Sequence, residues 1–204
     1  MRTLVAAPHG SKKRYSFPAW EAATRPYDRL VAMHSDDDPC YIEEVTGQVT
    51  VVLFDRPPAP FNRQGRNAIY GPLFNEAWRT ILGYAHHHCY SHVLSLETDV
   101  IPPEGTDILA LMEEHHRGDF LIHLYPWRAS TGRATKADEM GCTLASVPIW
   151  RDVLERHPDD QLYGAFKTDP DYHVTRIDLV ELAHLDDDGR SEPCHRSRPA
   201  SAPA

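Results

Sequence analysis

The sequence has little of three features that would assign a protein to a simple class. No apolar run approaches the roughly 20 residues that a membrane-spanning helix needs, so we expect no transmembrane segment. Basic residues are in the minority, with 21 Lys and Arg against 30 Asp and Glu, and the formal net charge of -9 argues against nonspecific binding to nucleic acid or anionic membranes. The four cysteines are widely spread and form no CxxC pair, so we expect reduced thiols in a cytoplasmic protein.

Strand-like and helix-like patterns alternate along the 204 residues, a length that fits one domain with a sizeable core. Short apolar runs predict strands, and amphipathic stretches with capping residues predict helices between them. The main predicted strands are 3–7, 29–33, 48–54, 92–97 and 120–125. This order predicts a single α/β domain over residues 1–185, in which helices flank a largely parallel central sheet. The polar, Pro-rich segment 186–204 shows no periodicity and is predicted to be a flexible tail.

Three polar clusters follow predicted strands, namely "PHGSKKR", "HSDDD" and "ETDVIPP". In parallel α/β sheets, ligands bind at the carboxyl ends of strands. In the third cluster, Glu97 and Asp99 project to the same side because strand side chains alternate with a period of two. Two neighbouring carboxylates repel each other unless a positive charge lies near them, and Mg²⁺ or Mn²⁺ is the natural candidate. A solvated turn with two unrelated acids is the alternative.

The histidines of "AHHHCYSH" are a weaker candidate for a metal site. His86, His87 and His88 fall at the end of a helix that is predicted to begin near Pro72. Consecutive helical side chains point about 100° apart, so these three cannot converge on one ion. A helix C-terminus also favours partly cationic histidine, and we therefore expect a solvated helix end.

The segment "YSHVLSLETDVIPPEGTDILALM" resembles the central segment of GT-A-fold glycosyltransferases, particularly family 2, in which a hydrophobic strand ends in an Asp-x-Asp-type motif. Other segments are similar to landmarks of that family in the same order, including "RQGRNAIYGPLFNEAWRTILGYA", "MGCTLASVPIWRDVL" and "PDDQLYGAFKTDPDYHVTRIDLVELAHL". The resemblance covers about residues 1–185 and implies a single Rossmann-like GT-A domain. The motif departs from the family in its first acid, which is Glu97 rather than Asp.

The resemblance implies a metal-dependent transfer of sugar from a nucleotide-diphosphate donor, with a UDP-sugar favoured, to a hydroxyl of a carbohydrate, glycan or protein acceptor. The cation would be held chiefly by Asp99, with His184 as a second protein ligand, and would neutralise the diphosphate. A strand-end histidine that bonds a neighbour is the alternative for His184. An imidazole ligand favours Mn²⁺ over Mg²⁺. Asp160 matches the general base of inverting members. Helix capping by Asp160 is the alternative, and the choice between Asp159 and Asp160 stays open.

For the nucleotide, Pro8 and His9 resemble the positions whose backbone meets the base and ribose. Asp36, one of three acids in "HSDDD", matches an acid that can hydrogen-bond uracil, with a solvated acidic turn as the alternative. Glu97 would contact the ribose or a metal-bound water. Arg66 lies in a predicted loop where a guanidinium could hold a phosphate through two hydrogen bonds. Ordinary surface charge is the alternative, and it is favoured more for Arg63 than for Arg66.

Two other functions stay open on the sequence alone. Sugar-phosphate nucleotidyltransferases carry a Gly-rich basic loop after the first strand, and "PHGSKKR" resembles that loop faintly, with a single glycine. A non-catalytic protein with a degenerate nucleotide-sugar site is the third interpretation, supported by the short chain and by the departure at Glu97.

Overall fold

A seven-stranded sheet forms the centre of the protein, whose computed structural model describes residues 1–55, 66–126, 136–137, 140–157 and 166–185. For residues 66–72 only the backbone is described. The strands are β1 Thr3–His9, β2 Arg29–His34, β3 Thr50–Phe54, β4 His92–Leu96, β5 Val100–Ile101, β6 Phe120–His123, β7 Tyr125–Pro126, β8 Lys136–Ala137, β9 Cys142–Ser146, β10 Val174–Ile177 and β11 Ala183–His184. The helices are α1 Phe17–Thr24, α2 Pro39–Thr46, α3 Arg66–His87, α4 Ile108–His115 and α5 Val147–Arg156, and a 3₁₀ turn spans Ser11–Lys13.

The central sheet has the strand order β10-β6-β9-β4-β1-β2-β3. Neighbouring strands are parallel except where β9 is involved, since β9 runs antiparallel to both β4 and β6. The carboxyl ends of the parallel strands therefore lie along one edge, together with the first residue of β9. We call this the carboxyl edge. The observed architecture confirms the predicted α/β fold with a mostly parallel sheet in a single domain.

Helices cover both faces of the sheet, as near-continuous apolar strands require. Along β1, Leu4 and Ala6 pack into one core with α3 and α5. Val5, between them, packs into a second core with α1, α2 and α4. The alternation of the strand thus divides its side chains between two helical layers, and the rigid sheet between them carries the residues at the carboxyl edge.

Two buried tryptophans attach helices to β4 from opposite faces of the sheet. Trp20 of α1 donates its Nε1–H to the carbonyl of Leu96 at 2.9 Å. Trp150 of α5 donates its Nε1–H to the carbonyl of Val93 at 3.1 Å. Both indole groups are fully buried with their polar atom satisfied, as a buried tryptophan requires. The strand that leads to the acidic cluster is therefore held between two helices.

Pro8 lies inside β1, although proline is normally excluded from central strands because it has no N–H to donate. β1 pairs with β4 only over residues 3–6, whereas its ladder with β2 runs over residues 5–9. Pro8 lies beyond the β4 ladder, so one side of the strand needs no donor there. The sequence prediction ends this strand at Ala7, and the observed strand continues to His9 at the carboxyl edge.

Two helices differ from the sequence prediction. The prediction has no helix at α2, where Asp38 caps the first turn by accepting from the amide of Cys40 at 3.0 Å. Helix α3 begins at Arg66 rather than near Pro72, so Arg66 belongs to a helix and not to a loop. An internal proline removes the hydrogen bond of its own N–H and crowds the carbonyl four residues earlier, and this 22-residue helix nevertheless continues through it. No helix in the described ranges is both long and apolar enough to cross a membrane.

Candidate functional site

The acidic turn, residues Glu97, Thr98 and Asp99, follows β4 at the carboxyl edge. Its backbone is fixed by two hydrogen bonds, because the amide of Glu97 donates to the carbonyl of Gly141 and the amide of Val100 donates to the carbonyl of Glu97, each at 2.9 Å. Asp99 is 0% exposed and Glu97 is 9% exposed. Buried carboxylates are costly unless they are paired, so the partners of these two groups define the site.

His184 reaches the acidic turn from the last strand. β11 pairs antiparallel with β5, which places His184 opposite Val100, and Leu185 donates its amide to the carbonyl of Asp99 at 2.8 Å. Nε2 of His184 lies 3.6 Å from Oδ2 of Asp99. Nδ1 lies 2.9 Å from the carbonyl of Pro126, which can only accept, so Nδ1 carries a proton. Nε2 therefore faces the carboxylate either as a lone pair, which favours a cation between the two atoms, or as the N–H of an imidazolium.

Lys13 supplies a positive charge to the acidic turn, and the sequence prediction does not include it. The residue ends the 3₁₀ turn after β1, and its Nζ lies 3.0 Å from Oδ1 of Asp99 and 3.5 Å from Oε2 of Glu97. An ammonium thus lies where the sequence argument places a divalent cation. The signal was present in the sequence, because two carboxylates at one strand end need a counter-charge and "GSKKR" follows another strand of the sheet.

The groups around Asp99 fit a divalent cation such as Mn²⁺ or Mg²⁺. Two atoms that bind one ion at about 2.1 Å lie about 3–4 Å apart, and Oδ2 of Asp99 and Nε2 of His184 are 3.6 Å apart. The contact of Nδ1 with a carbonyl is the arrangement that orients a metal-binding histidine. Among the described residues, no group of three or more His, Cys, Asp or Glu side chains is placed to hold a metal ion. An ion at Asp99 would therefore complete its coordination with water or phosphate oxygens, as Mg²⁺ commonly does.

His9 is buried at the end of β1, and its ring connects β1 to the acidic turn. Nδ1 lies 3.0 Å from the hydroxyl of Thr98, and Nε2 lies 2.6 Å from the hydroxyl of Tyr41. Burial, assisted by the charge of Lys13, lowers the pKa of His9 to about 3, although Asp37 opposes the shift. The ring is therefore neutral near pH 7. Its side chain holds the turn, and the backbone of His9 is the part that stands at the carboxyl edge.

The three acids after β2 have different surroundings. Asp36, the predicted contact to the base, has a side chain that is 83% exposed and lies 4.0 Å from Nδ1 of His34. Asp37 accepts from the amide of Ser11 at 2.9 Å and from its hydroxyl. Burial raises the pKa of Asp37, but these hydrogen bonds outweigh it, so the pKa lies below the usual range. Asp38 caps α2. The carboxylate of Asp36 is thus more exposed than that of Asp38, whose side chain is 45% exposed.

The structure brings Glu97, Asp99 and His184 into one cluster, as the resemblance implies, although they come from distant parts of the chain. Pro8 lies at the same edge, opposite Ala32 of β2. The remaining predicted positions are not part of this cluster as described. Arg66 begins α3 with only its backbone described, and Asp160 lies outside the described residues, as does the predicted tail 186–204.

The three histidines at the end of α3 are exposed, which confirms the predicted solvated helix end. Cys89, just after them, adopts the left-handed conformation with φ of 60°, and the amide of Tyr90 donates to the carbonyl of Ala85 at 2.9 Å. This hydrogen bond closes the helix end in the way that such left-handed residues allow. The stretch therefore ends a helix and leads into β4.

Three open surface cavities lie away from the cluster at Asp99. Two of them, of about 480 and 650 Å³, adjoin each other beside α3 and α5 and share His86, Arg151 and Glu155. A third, of about 560 Å³, lies between α1 and residues 101–107. None of the three is lined by Asp99 or His184. The candidate site is therefore identified by its charges and by its position at the carboxyl edge, and not by one of these three cavities.

Comparisons with known proteins find similar folds but no similar sequences. No protein-family model and no curated protein sequence matches the chain. Among solved structures, mannose-1-phosphate geranyltransferase from Thermus thermophilus is 11% identical, with a TM-score of 0.57 over 93% of this chain and 77% of that chain. A cytidylyltransferase from Leptospira borgpetersenii is 12% identical, with a TM-score of 0.51 over 88% of this chain and 76% of that chain.

A glycosyltransferase involved in the glycosylation of the major capsid of PBCV-1 is also similar. It is 10% identical, with a TM-score of 0.49 over 87% of this chain and 82% of that chain, and likeness at that level supports no argument here. Because the identities are low and 340 solved chains match, the likeness identifies an architecture and not a reaction. The chain has a Rossmann-like α/β fold, similar to that of the mannose-1-phosphate geranyltransferase and of the cytidylyltransferase.

Proposed function

We propose that the protein transfers a sugar from a nucleoside-diphosphate sugar to an acceptor hydroxyl, with a divalent cation bound at Asp99. The observation that supports this most directly is the meeting of Asp99, His184 and Lys13 at the carboxyl edge of the sheet. Ligands of open parallel sheets bind at that edge. A carboxylate, an imidazole and an ammonium are the groups that bind a cation and a phosphate side by side.

Each proposed residue has a separate role in donor binding. Asp99 and His184 would hold Mn²⁺ or Mg²⁺, which when bound supplies a positive centre that stabilises the departing nucleoside diphosphate. Glu97 orients the ribose or a water at the cation. The backbone of Pro8 and His9 and the exposed carboxylate of Asp36 border the base. Arg66, at the first turn of α3, is the proposed guanidinium for a phosphate.

Asp160 is the proposed general base, and its role rests on the sequence resemblance. A carboxylate that takes the proton of the acceptor hydroxyl allows the oxygen to attack the anomeric carbon on the face opposite the leaving group. That geometry inverts the configuration of the sugar. The acceptor is a carbohydrate, a glycan or a protein hydroxyl.

Sugar-phosphate nucleotidyl transfer is the second candidate, because the cytidylyltransferase from Leptospira borgpetersenii shares the fold at a TM-score of 0.51. The loop after β1 argues against it. In such enzymes this loop must offer backbone donors to phosphates. Here the amide and hydroxyl of Ser11 already donate to Asp37, and a Cβ at Gly10 would lie 2.9 Å from Oδ2 of Asp37. An internal carboxylate thus occupies one backbone donor and one hydroxyl donor of this loop.

A product assay separates the candidates. The full chain is incubated with UDP-, GDP- and TDP-sugars, Mn²⁺ and a panel of acceptors, and separately with nucleoside triphosphates and sugar phosphates. Release of nucleoside diphosphate supports sugar transfer, whereas release of pyrophosphate supports nucleotidyl transfer. Metal-dependent donor binding without turnover across the panel would leave the third candidate, a non-catalytic nucleotide-sugar-binding protein.

Asp99→Asn tests the proposed metal ligand. The amide keeps the size of the side chain but removes the charge that would bind the cation, so metal-dependent donor affinity is expected to fall at least 100-fold. Glu104→Gln, which neutralises an exposed carboxylate five residues further along, is the matched control and should change nothing. Full donor affinity of folded Asp99→Asn in the presence of Mn²⁺ contradicts the assignment of Asp99.

A further inference from the structure

Lys13 is an internal counter-ion whose backbone is fixed. Its amide donates to the carbonyl of Gly10 at 2.8 Å, and its own carbonyl accepts from the hydroxyl of Ser16 at 2.9 Å. The turn that carries it is therefore anchored at both ends. Its ammonium lies at the end of a four-carbon chain with several rotatable bonds. The charge of Lys13 can move while the turn that carries it stays in place.

The carboxylate of Asp99 is accessible only through its neighbours. Oδ1 of Asp99 contacts Lys13 and Oδ2 faces His184, and the side chain of Asp99 is 0% exposed. The side chain of Lys13 is 30% exposed, whereas that of His184 is 8% exposed. An ion that approaches Asp99 from solvent must displace a neighbour. Of these two, Lys13 is the one that can swing outward without leaving a packed position.

The charges of the cluster also favour the replacement of Lys13 by a divalent cation at Asp99. With a neutral His184, one ammonium against the carboxylates of Glu97 and Asp99 leaves one net negative charge, which repels a diphosphate. A divalent cation on Asp99 reverses that sign. If the cation also releases Lys13, the ammonium becomes available to a phosphate oxygen at the same edge.

We propose that Lys13 and a divalent cation exchange places on Asp99, so that metal binding frees Lys13 to bind the donor diphosphate. This inference rests on the proposed function, because it assumes a metal-bound nucleotide donor at the carboxyl edge. Lys13 then opposes the metal in the absence of nucleotide and assists the nucleotide once the metal is bound. The two effects have opposite signs, which a purely structural role of Lys13 would not produce.

The test measures two affinities of the full chain in the wild type, Lys13→Met and Lys12→Met. Mn²⁺ binding without nucleotide is followed by electron paramagnetic resonance, and UDP binding at saturating Mn²⁺ is followed by calorimetry. Removing one unit charge next to a divalent ion corresponds to about tenfold in affinity. We expect Lys13→Met to bind Mn²⁺ about tenfold more tightly and UDP about tenfold more weakly. Lys12, the exposed neighbour, is the control and should leave both affinities unchanged.

Two results overturn the exchange. The first is that Lys13→Met leaves both affinities unchanged or moves them in the same direction. The second is that neither the wild type nor Lys13→Met binds Mn²⁺. If Lys13→Met does not fold, Lys13→Arg serves instead. Its guanidinium pairs with carboxylates more firmly and should weaken Mn²⁺ binding at least threefold, and unchanged or tighter binding counts against the exchange. The proposed function is judged separately by the product assay, so wild-type sugar transfer combined with either result rejects the exchange alone.

Discussion

Acid should destabilise this protein through His9. The ring is 7% exposed. Burial and the charge of Lys13 lower its pKa from 6.5 to about 3, and the charge of Asp37 opposes this shift. Because the pKa is lower in the folded chain, the unfolded chain takes up a proton first as the pH falls. The folded state is therefore favoured above pH 6.5, and this contribution is lost progressively between pH 6.5 and 3.

The size of the effect follows from the two pKa values. Between pH 7.5 and 5.0 the unfolded histidine goes from largely neutral to largely protonated, whereas the folded one stays neutral. Linkage gives a loss of about 2 kcal/mol in the free energy of unfolding over that interval. The figure hardly depends on how far below 5 the folded pKa lies, since a folded group that stays neutral contributes nothing.

Urea unfolding at pH 7.5 and 5.0, followed by tryptophan fluorescence, measures this loss. Trp20 is a suitable reporter because it stacks near Phe17, and Phe17 stacks on His9 with ring centroids 5.0 Å apart. His9→Gln keeps a hydrogen-bonding group and cannot titrate. Its pH-dependent loss should be smaller than that of the wild type by about 2 kcal/mol, although it is less stable at both pH values.

Other histidines also respond to acid. Burial is the main cause that lowers the pKa of His92 and of His123. These contributions are common to wild type and variant and cancel in the difference. His87→Gln, at an exposed position, is the control and should keep the wild-type pH dependence. Equal losses in the wild type and in His9→Gln would refute the assignment of His9 as a buried neutral ring.

The remaining predictions concern the proposed general base and two glycines. Asp160→Asn is expected to abolish sugar transfer and to leave donor affinity unchanged, whereas Asp159→Asn should retain transfer. Product release measures the transfer and a donor titration measures the affinity. The reverse pattern assigns the base to Asp159. Gly141→Ala should destabilise the fold by about 1–3 kcal/mol in urea unfolding, because its Cβ would lie 2.4 Å from the ring of Tyr125. Gly83→Ala, with no atom within 4 Å of its Cβ, should instead stabilise α3 by up to about 1 kcal/mol, and equal effects at the two glycines contradict the steric argument.

The inner strands of the central sheet were largely predictable from the sequence, because burial on both faces gives them continuous apolar runs. The runs at β1, β2, β4 and β6 are apolar on both faces, and only strands covered on both sides carry such runs. The errors are the end of β1, the start of α3 and the missed helix α2. Helix α2 has a start signal in Asp38 and Pro39 and a buried pair in Tyr41 and Val45, but it is a short helix beside an acidic run that also fits a loop.

The acidic part of the candidate site was predictable, because its residues directly follow a predicted strand. Glu97 and Asp99 stand at a strand end, and their need for a counter-charge follows from electrostatics alone. Which group supplies that charge does not follow. Lys13 rather than Lys12 reaches Asp99 because the 3₁₀ turn orients it, and the geometry of such a turn is decided by the hydrogen bonds that Ser11 and Ser16 make.

The role of His184 depended on pairing between distant segments. The short ladder between β11 and β5 has two residue pairs and brings together residues 84 and 82 positions apart. No periodicity marks so short a strand. The sequence resemblance indicated His184 through its order in the chain, and the observed contact with Asp99 agrees with it. Its role as a metal ligand stays a prediction.

The reversed direction of β9 has a consequence for the connection that precedes it. Since β6 ends and β9 begins at the carboxyl edge, the chain between them leaves from and returns to the same edge. Within this connection, β7 and β8 pair antiparallel. Such a connection can change in length without shifting the register of the sheet. Each doubling of its length adds only about 0.6 kcal/mol of closure entropy. The length of this connection can therefore change while the central sheet and its two cores remain as they are.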